Sequence, residues 1–297
     1  MMRLVLCCLL SAVFSVAAHA GTKQIELDIA GKVALADLTV PDGKTLADGV
    51  LVLAHGTLAH KDMELIEGLQ GLMAERGIVT LAPSLTFGLD RRTGMYDCAV
   101  PSVHRHEDGV AEIAAWIGWL RNEGAKMISV FGHSRGGNQA ATYAAGDKEI
   151  GKLVLLAPAL GRSAQELADG FKSRFKTDLA PLMDKAEKLI DAGNGSELVD
   201  VPGFIYCPAG KASAASIKSY YGGGLEQLTV SQLAKVAAPV LVIAGSADNV
   251  VPDVPAKIGK IADDDKITLK VIDDAGHMFL DFHAEDAADL IAEFLTQ

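Results

Sequence analysis

Three short stretches of this chain are apolar at every position: VLVLA at 50–54, LVLLA at 153–157 and VLVIA at 240–244. A strand with one face in water alternates apolar and polar residues, and these three do not. Uninterrupted runs of this kind are typical of strands covered on both faces, as in a parallel sheet with helices on either side. This feature restricts the chain to a layered α/β architecture more strongly than any other.

The rest of the chain repeats this alternation of β-rich runs and helix-like segments. The predicted strands are 49–56, 77–85, 126–134, 152–160, 238–248 and 267–277, after an opening hairpin at 25–41, and the predicted helices are 61–76, 107–123, 135–146 and 284–296. Alternating strands and helices joined by right-handed crossovers form a sheet with helices on both sides. We therefore predict a three-layer α/β/α sandwich with a mainly parallel sheet.

One interval is too long for a single crossover. Almost eighty residues separate Leu160 from Pro239, and 163–192 have a helical pattern that is interrupted near Pro181. An insertion of this length with elements of its own is typical of a cap over a site. The expected organisation is thus a core of 21–160 and 238–297, with a helical cap insertion at 161–237.

The first twenty residues have the layout of a secretory signal peptide. Arg3 precedes an apolar stretch from Leu4 to Ala18, and Ala18-His19-Ala20 is a small-x-small cleavage site. The apolar stretch is shorter than the roughly 20 residues that a spanning helix needs. We expect cleavage after Ala20, an exported periplasmic or secreted protein, and no stable membrane span in the mature chain.

The net charge of the chain bears on the class of partner. The 297 residues carry a formal charge of −11, which argues against nucleic acid as a partner and leaves a small-molecule substrate open.

Of four cysteines, Cys98 and Cys207 lie outside the signal. In an exported chain such a pair permits a disulfide, with two buried thiols as the alternative. The oligomeric state stays undetermined.

Residues 132–136 read Gly-His-Ser-Arg-Gly, directly after a buried strand and directly before a helix. Gly-x-Ser-x-Gly in a strand–turn–helix context is the nucleophile elbow, in which a sharp turn exposes the serine hydroxyl above the sheet. Side chains at Gly132 and Gly136 would collide with neighbouring backbone. This pattern makes Ser134 the candidate nucleophile.

A serine hydroxyl needs a base, and the base needs an orienting carboxylate. His277 follows the last predicted strand and Asp248 ends the strand before it, which fits the chain order Ser…Asp…His. Asp253 and the run at 263–265 are the competing carboxylates, interpreted as a helix start and a solvated loop. We predict His277 as base and Asp248 as its partner.

The oxyanion of an acyl-transfer reaction needs backbone donors. The N–H of Arg135, directly after the nucleophile, is one candidate. The turn His55-Gly56-Thr57 follows a strand, and the Thr57 N–H is the second candidate. His55, Gly56 and His133 are interpreted as supporting residues of these turns.

The stretch HRHED at 104–108 is interpreted as structural and not as a metal site. His104-Arg105-His106-Glu107-Asp108 begins like a zinc-hydrolase signature but lacks the next histidine. We therefore interpret Glu107 and Asp108 as the start of a helix and expect no metal.

Arg91 and Arg92 follow a strand on the site side of the sheet. We interpret them as surface arginines, with a pocket wall or carboxylate-binding role as the alternative.

Together the segments His55-Gly56-Thr57, Gly132–Gly136, Asp248 and His277 resemble the α/β-hydrolase fold superfamily over 25–297, and His55 to His60 with the GHSRGG elbow resembles its monoglyceride-lipase and serine-aminopeptidase-like branch. The resemblance implies a serine hydrolase without metal or organic cofactor. It leaves three functions open: a carboxylic-ester hydrolase, which is our prediction, an aminopeptidase-like amidase, and a non-catalytic binder of the same fold.

Overall fold

The structure, a computed structural model, describes residues 21–222, 228–263 and 265–297. The predicted signal peptide, residues 1–20, lies outside the described residues. The strands are β1 Gly21–Ile29, β2 Lys32–Val40, β3 Val50–Ala54, β4 Val79–Ser84, β5 Ile128–His133, β6 Leu153–Leu156, β7 Leu198–Phe204, β8 Cys207–Ser213, β9 Val240–Gly245 and β10 Ile267–Ile272. The helices are α1 Glu64–Glu75, α2 His106–Asn122, α3 Arg135–Gly146, α4 Ala164–Phe175, α5 Ala180–Asp191, α6 Ala214–Tyr221, α7 Leu228–Leu233, α8 Val254–Ile258 and α9 Phe282–Thr296.

An eight-stranded sheet forms the centre of the molecule, in the order β1-β2-β4-β3-β5-β6-β9-β10. Strands β1 and β2 form an antiparallel hairpin, and β2 also pairs antiparallel with β4. All other neighbours are parallel. The mainly parallel sheet and its opening hairpin are confirmed.

Alternate residues of the central strands enter two separate cores. Val50 and Val52 of β3 pack in one core, which includes Trp116 of α2. Leu51 and Leu53 point the other way, into a core that includes Leu69 of α1 and residues of α9. Every residue of β3 is buried, because helices cover both faces, and this confirms the three-layer sandwich.

Several strands end earlier than their apolar runs suggested. Strand β6 stops at Leu156 although the predicted segment continued to 160. Ala157 has a positive φ of 42°, a left-handed conformation that cannot continue a strand. Backbone conformation, rather than loss of apolar character, ends this strand.

Within the predicted insertion, residues 161–222 and 228–237 form helices and a two-stranded antiparallel ribbon, β7–β8. Pro181 lies in the first turn of α5, a position where its missing N–H costs nothing, so it starts a second helix. The ribbon was not predicted. Pro202 and Pro208 argue against strands in the sequence. In the structure, buried and exposed residues alternate along most of β7, as expected of a half-exposed strand.

A disulfide joins Cys98 to Cys207, which decides between the two alternatives for this pair. Cys98 lies in the connection from β4 to α2, and Cys207 begins β8 of the insertion. Ser102 of the same connection donates its N–H to the carbonyl of Lys211 at 2.9 Å and accepts from Ser213 at 2.9 Å. The insertion is therefore fastened to the core by a covalent bond and by backbone pairing. None of the helices in the described ranges has both the length and the apolar character needed to cross a membrane.

Candidate active site

The nucleophile elbow is formed as a strained turn between β5 and α3. Ser134 has φ 54° and ψ −120°, outside the regions that L-residues favour. A side chain on Gly132 would lie 2.3 Å from the carbonyl oxygen of Gly136, and one on Gly136 would lie 2.3 Å from the carbonyl oxygen of His55. Both glycines are thus required by close backbone approach, as the sequence predicted.

The side chains of Ser134, His277 and Asp248 meet at the carboxyl edge of the sheet. His277 Nε2 lies 3.0 Å from Ser134 Oγ, and His277 Nδ1 lies 2.8 Å from Asp248 Oδ2. Asp248 follows β9 and His277 follows β10, and these two strands are parallel neighbours. The loops that follow the parallel strands lie at one edge of the sheet, so Ser134, which follows β5, meets His277, 143 positions further along the chain.

Asp248 is buried and held as a carboxylate. Its Oδ1 accepts hydrogen bonds from the N–H groups of Val250 at 2.7 Å and Val251 at 3.0 Å. Burial alone would raise the pKa of Asp248, but the hydrogen bonds from His277, Val251 and Val250 outweigh it and leave the pKa below its ordinary value. An ionised Asp248 accepts from His277 Nδ1–H, which leaves His277 Nε2 free to accept the proton of Ser134.

The competing carboxylates lie in other contacts. Asp253 pairs with Lys257 at 2.7 Å, and Asp263 accepts from the N–H groups of Lys266 and Ile267. Asp265 is exposed, and the third member of the run, Asp264, lies outside the described residues. Among the described carboxylates of this group, Asp248 is the one in contact with His277.

The turn after β3 lies against the elbow. A side chain on Gly56 would lie 3.3 Å from Ser134 Cβ, so glycine lets this backbone approach Ser134. Thr57 Oγ1 accepts from Arg135 Nε at 3.1 Å, which links the two proposed oxyanion residues. The N–H of Arg135, the first residue of α3, has no carbonyl to bond within its helix. The backbone of the two predicted oxyanion residues thus lies next to the elbow.

The supporting histidines are buried and neutral. His55 Nδ1–H donates to the carbonyl of Gly56 at 2.8 Å, and its Nε2 accepts from the Leu85 N–H at 3.0 Å. Burial, with a smaller contribution from the charge of Arg92, lowers the pKa of His55 to about 3. His133 Nε2–H donates to the carbonyl of His277 at 3.0 Å. Each ring fixes a turn of the site.

Arg92 is a correction to the sequence analysis. The residue is only 5% exposed, not a surface arginine, and it donates to the carbonyls of Leu85, Gly94 and Ala59 at 2.6 Å each. Its guanidinium also stacks on Phe87, 4.7 Å from the ring centroid. The side chain ties the turn after β3 to the loop after β4. Its neighbour Arg91 is exposed and pairs with Glu26.

The histidines of the HRHED stretch lie in a buried aromatic cluster. His104 Nδ1 and the Tyr220 hydroxyl are 2.9 Å apart, and the ring of His104 also contacts Phe87 and Tyr96. His106 begins α2, where Glu107 and Asp108 occupy the first turn as predicted. Within the described residues, no three His, Cys, Asp or Glu side chains are grouped so as to bind a metal ion.

A cavity of about 690 Å³ opens above Ser134 and is lined by both the core and the insertion. Thr57, Ser134 and Asn138 form its floor, and the walls come largely from α4, from 205–206 and from 250–253. Tyr220 of the insertion also lines the cavity. The guanidinium of Arg135 stacks on its ring, with Cζ 5.0 Å from the ring centroid. Tyr220 could not be identified from the sequence, because its position depends on how the insertion packs.

This combination of a mainly parallel eight-stranded sheet, an elbow after β5 and a capped cavity is the architecture of an α/β hydrolase. The model of a family described as "Alpha/beta hydrolase family" matches residues 51–294, and the chain belongs to that family. The match covers most of the core and all of the insertion. It does not distinguish between branches, so the monoglyceride-lipase and serine-aminopeptidase-like branch stays a prediction. No curated protein sequence matches the chain.

Solved structures with the same fold include several hydrolases. Est1E from Butyrivibrio proteoclasticus is 19% identical with a TM-score of 0.63, covering 92% of this chain and 97% of its own. A dienelactone hydrolase from Anabaena variabilis is 16% identical with a TM-score of 0.58, covering 93% and 97%. An esterase of Pyrococcus furiosus is 18% identical with a TM-score of 0.60, covering 93% and 91%. At these identities the similarity is one of fold.

Proposed function

We propose that this α/β hydrolase is a serine hydrolase that cleaves carboxylic esters through an acyl-enzyme. The observation that carries the proposal is the continuous hydrogen-bonded line from Ser134 Oγ through His277 to Asp248, with distances of 3.0 and 2.8 Å. These are the distances over which a base takes a proton from an alcohol. Its serine end, Ser134, lies at the floor of a cavity large enough for a small organic substrate.

In the proposed mechanism Ser134 Oγ attacks the acyl carbon as its proton passes to His277 Nε2. The negative oxygen of the tetrahedral intermediate accepts from the N–H groups of Thr57 and Arg135, and loss of one such donor typically costs about 3–4 kcal/mol. His277 then protonates the leaving alkoxide, which departs as an alcohol. Water, deprotonated by the same imidazole, attacks the acyl-enzyme and releases the carboxylic acid and Ser134.

Asp248 orients the imidazole rather than taking up a proton. Its ionised carboxylate keeps the proton of His277 on Nδ1 and stabilises the imidazolium that forms in each half of the reaction. The two backbone bonds from Val250 and Val251 fix the carboxylate itself. This hydrogen-bonded support is what a buried carboxylate requires to stay charged.

The pocket supports ester cleavage over an aminopeptidase-like activity. A site for a free amine would need an unengaged carboxylate. Two carboxylates line the cavity: Glu166 bonds the N–H and hydroxyl of Ser163, and Asp253 pairs with Lys257. Each is already engaged within the chain through one oxygen, Oε2 of Glu166 and Oδ2 of Asp253.

A fluorophosphonate probe tests the proposed nucleophile. We expect labelling of the wild type, none of Ser134→Ala, and wild-type labelling of Ser129→Ala, a control serine on the same strand. Equal labelling of wild type and Ser134→Ala would overturn the proposal. Turnover of 4-nitrophenyl esters of graded chain length, alongside aminoacyl-anilides, then separates the classes. Cleavage of anilides alone would support the amidase, and tight ligand binding without any reaction would support the binder.

We further propose that the protein acts outside the cytoplasm. The Cys98–Cys207 disulfide supports this, because such bonds persist in oxidising compartments. Fractionation of cells that express the full chain tests it: the mature protein is expected in the periplasmic or culture fraction, beginning at Gly21 by N-terminal sequencing. Recovery of the uncleaved chain in the cytoplasm would contradict the proposal.

A further inference from the structure

Three arginines border the cavity above Ser134: Arg135 on its floor, and Arg162 and Arg174 at its exposed rim. Arg135 uses its Nε on Thr57, and Arg174 donates from Nη1 to the carbonyl of Ile205 at 3.2 Å. Among the described residues none of the three is paired with a carboxylate. The cavity therefore presents guanidinium N–H donors that have no anionic partner.

The other arginines of the described ranges behave differently. Those on the outer surface all bind carboxylates: Arg76, Arg91, Arg105 and Arg121. Arg92 is buried and binds three backbone carbonyls. In an acidic protein, with a net charge of −11, carboxylates are abundant. The lack of ion pairs is thus a property of the cavity and not of the surface in general.

The carboxylates that line the cavity do not neutralise these arginines. Glu166 forms no ion pair with Arg162; its Oε2 accepts from the N–H and the hydroxyl of Ser163 at 2.7 and 2.8 Å, at the start of α4. The Ser163 N–H bond and the Ser163 hydroxyl hold the pKa of Glu166 below its ordinary value. Asp253 binds Lys257 one helical turn away. Three arginines face two carboxylates among the residues that line the cavity, so its lining carries more positive than negative charge.

The two rim arginines lie on the wall that α4 forms, Arg162 just before the helix and Arg174 within it. Arg162 Nη1 lies 3.6 Å from the position that a side chain on Gly170 would occupy, so its guanidinium lies along the helix at that residue. Arg174 follows Gly170 by four residues, which is the same face of a helix. The guanidinium of Arg174 stacks on Tyr206, with Cζ 4.3 Å from the ring centroid. Stacking orients the guanidinium while its remaining N–H groups stay free.

We infer that this cavity selects esters that carry a second, negatively charged group, a carboxylate or a phosphate, which Arg162 and Arg174 bind while the ester carbonyl lies at Ser134. The inference rests on the proposed function and names its substrate class. Guanidinium groups bind both oxyanions through paired N–H donors. The cavity volume of about 690 Å³ accommodates a substrate that reaches from Ser134 to the rim.

The test compares two esters of equal size, monomethyl glutarate and methyl glutaramate, which differ in a carboxylate against a neutral carboxamide. We expect kcat/KM to favour the carboxylate by about tenfold, since a hydrogen bond to a charged group contributes about that much. The double variant Arg162→Gln/Arg174→Gln is expected to abolish this ratio. Arg91→Gln, which removes an exposed arginine outside the cavity, keeps it. The ratio also falls as salt is added, because the rim charges are screened.

Binding to Ser134→Ala separates this inference from the proposed chemistry. Calorimetry with monomethyl glutarate, 2-acetoxyethyl phosphate and dimethyl glutarate measures affinity without turnover. Tighter binding of one or both anionic esters, lost in the triple variant with Arg162→Gln and Arg174→Gln, supports the inference and tells carboxylate from phosphate. Equal affinity for all three esters would overturn it, even if the wild type hydrolyses each of them. A wild type that binds the anionic esters but hydrolyses none would overturn the proposed function alone.

Discussion

The imidazole rings of His133 and His277 lie 4.8 Å apart, and His133 Nε2 donates to the backbone carbonyl of His277 at 3.0 Å. His133 directly precedes Ser134, the proposed nucleophile, so one side chain connects the elbow to the loop that carries His277, the proposed base. Burial, followed by the charge of His277, lowers the pKa of His133 to about 4. The ring is neutral at pH 7 and acts as a positioning residue.

Replacing His133 is expected to loosen the base without removing it. His133→Leu loses the bond to the His277 carbonyl, and we expect kcat to fall about tenfold with little change in KM, since the cavity walls are untouched. His133→Gln retains an N–H donor and should recover part of the rate. Steady-state kinetics on a 4-nitrophenyl ester measures both. A rise in KM as large as the fall in kcat, or equal rates for the Leu and Gln variants, would show that the ring has only a structural role.

Asp248→Asn should abolish most activity while leaving the fold intact. An asparagine cannot hold the proton of His277 on Nδ1 as an ionised carboxylate does, and such a change typically costs about 10⁴ in kcat. The matched control is Asp265→Asn, which removes an exposed carboxylate of the competing acidic run and is expected to leave kcat unchanged. Circular dichroism of both variants confirms folding. Near-normal kcat in Asp248→Asn would contradict the assignment.

Alanine in place of Gly136 at the elbow is expected to disrupt the fold, whereas alanine in place of Gly118 in α2 is expected to be tolerated. In Gly136→Ala the new Cβ would lie 2.3 and 2.5 Å from the carbonyl oxygens of His55 and Ala54, so backbone must move and soluble, active protein should be lost. Gly118→Ala places its methyl in open space in the middle of α2. There we expect stabilisation of about 0.5–1 kcal/mol in the free energy of unfolding. Urea denaturation distinguishes the two.

Local pattern predicted the core of this protein because each core element is specified by its own residues. The runs at 50–54 and 240–244 are apolar throughout, and both became strands buried on two faces. The elbow was predictable because a turn this tight admits only glycine at Gly132 and Gly136. Chain order then singled out His277 and Asp248, since loops that follow parallel strands share one edge.

The insertion was less predictable because its structure depends on contacts that no local pattern encodes. The ribbon β7–β8 contains two prolines, and its partner is the neighbouring strand rather than the sheet. Arg92 resembled a surface residue, since nothing nearby in sequence shows that three carbonyls would surround it. Whether Cys98 and Cys207 meet depended on the fold bringing their Cα atoms to 5.3 Å across 109 residues.

Breaking the disulfide should destabilise the insertion. The bond closes a long loop, and removal of a native disulfide typically costs 2–5 kcal/mol. We expect Cys98→Ser/Cys207→Ser to lower the thermal midpoint, and dithiothreitol to lower that of the wild type but not of the variant. Limited proteolysis should then cut first within 161–237. An unchanged midpoint in the double variant would show that the backbone contacts of Ser102 suffice.

Acid should destabilise this protein because it buries neutral histidines. Burial lowers the pKa values of His55 and His106 to about 3, and those of His104 and His133 to about 4. Between these values and the ordinary 6.5, only the unfolded chain takes up the protons, so falling pH favours unfolding. Glu112, whose pKa burial raises to about 7, acts in the opposite direction, but as one group against four. The urea midpoint should therefore fall from pH 7 to pH 5.

His106 offers the cleanest single test of this dependence. It is 5% exposed, and neither ring nitrogen has a hydrogen-bond partner of good geometry among the described residues, although Asn138 lies nearby. His106→Phe keeps an aromatic ring and removes the titrating group. Its free energy of unfolding, taken relative to that of the wild type, should be about 2 kcal/mol higher at pH 5 than at pH 8, because the wild type loses that much stability by proton uptake on unfolding. Equal differences at the two pH values would show that His106 does not contribute to the acid sensitivity.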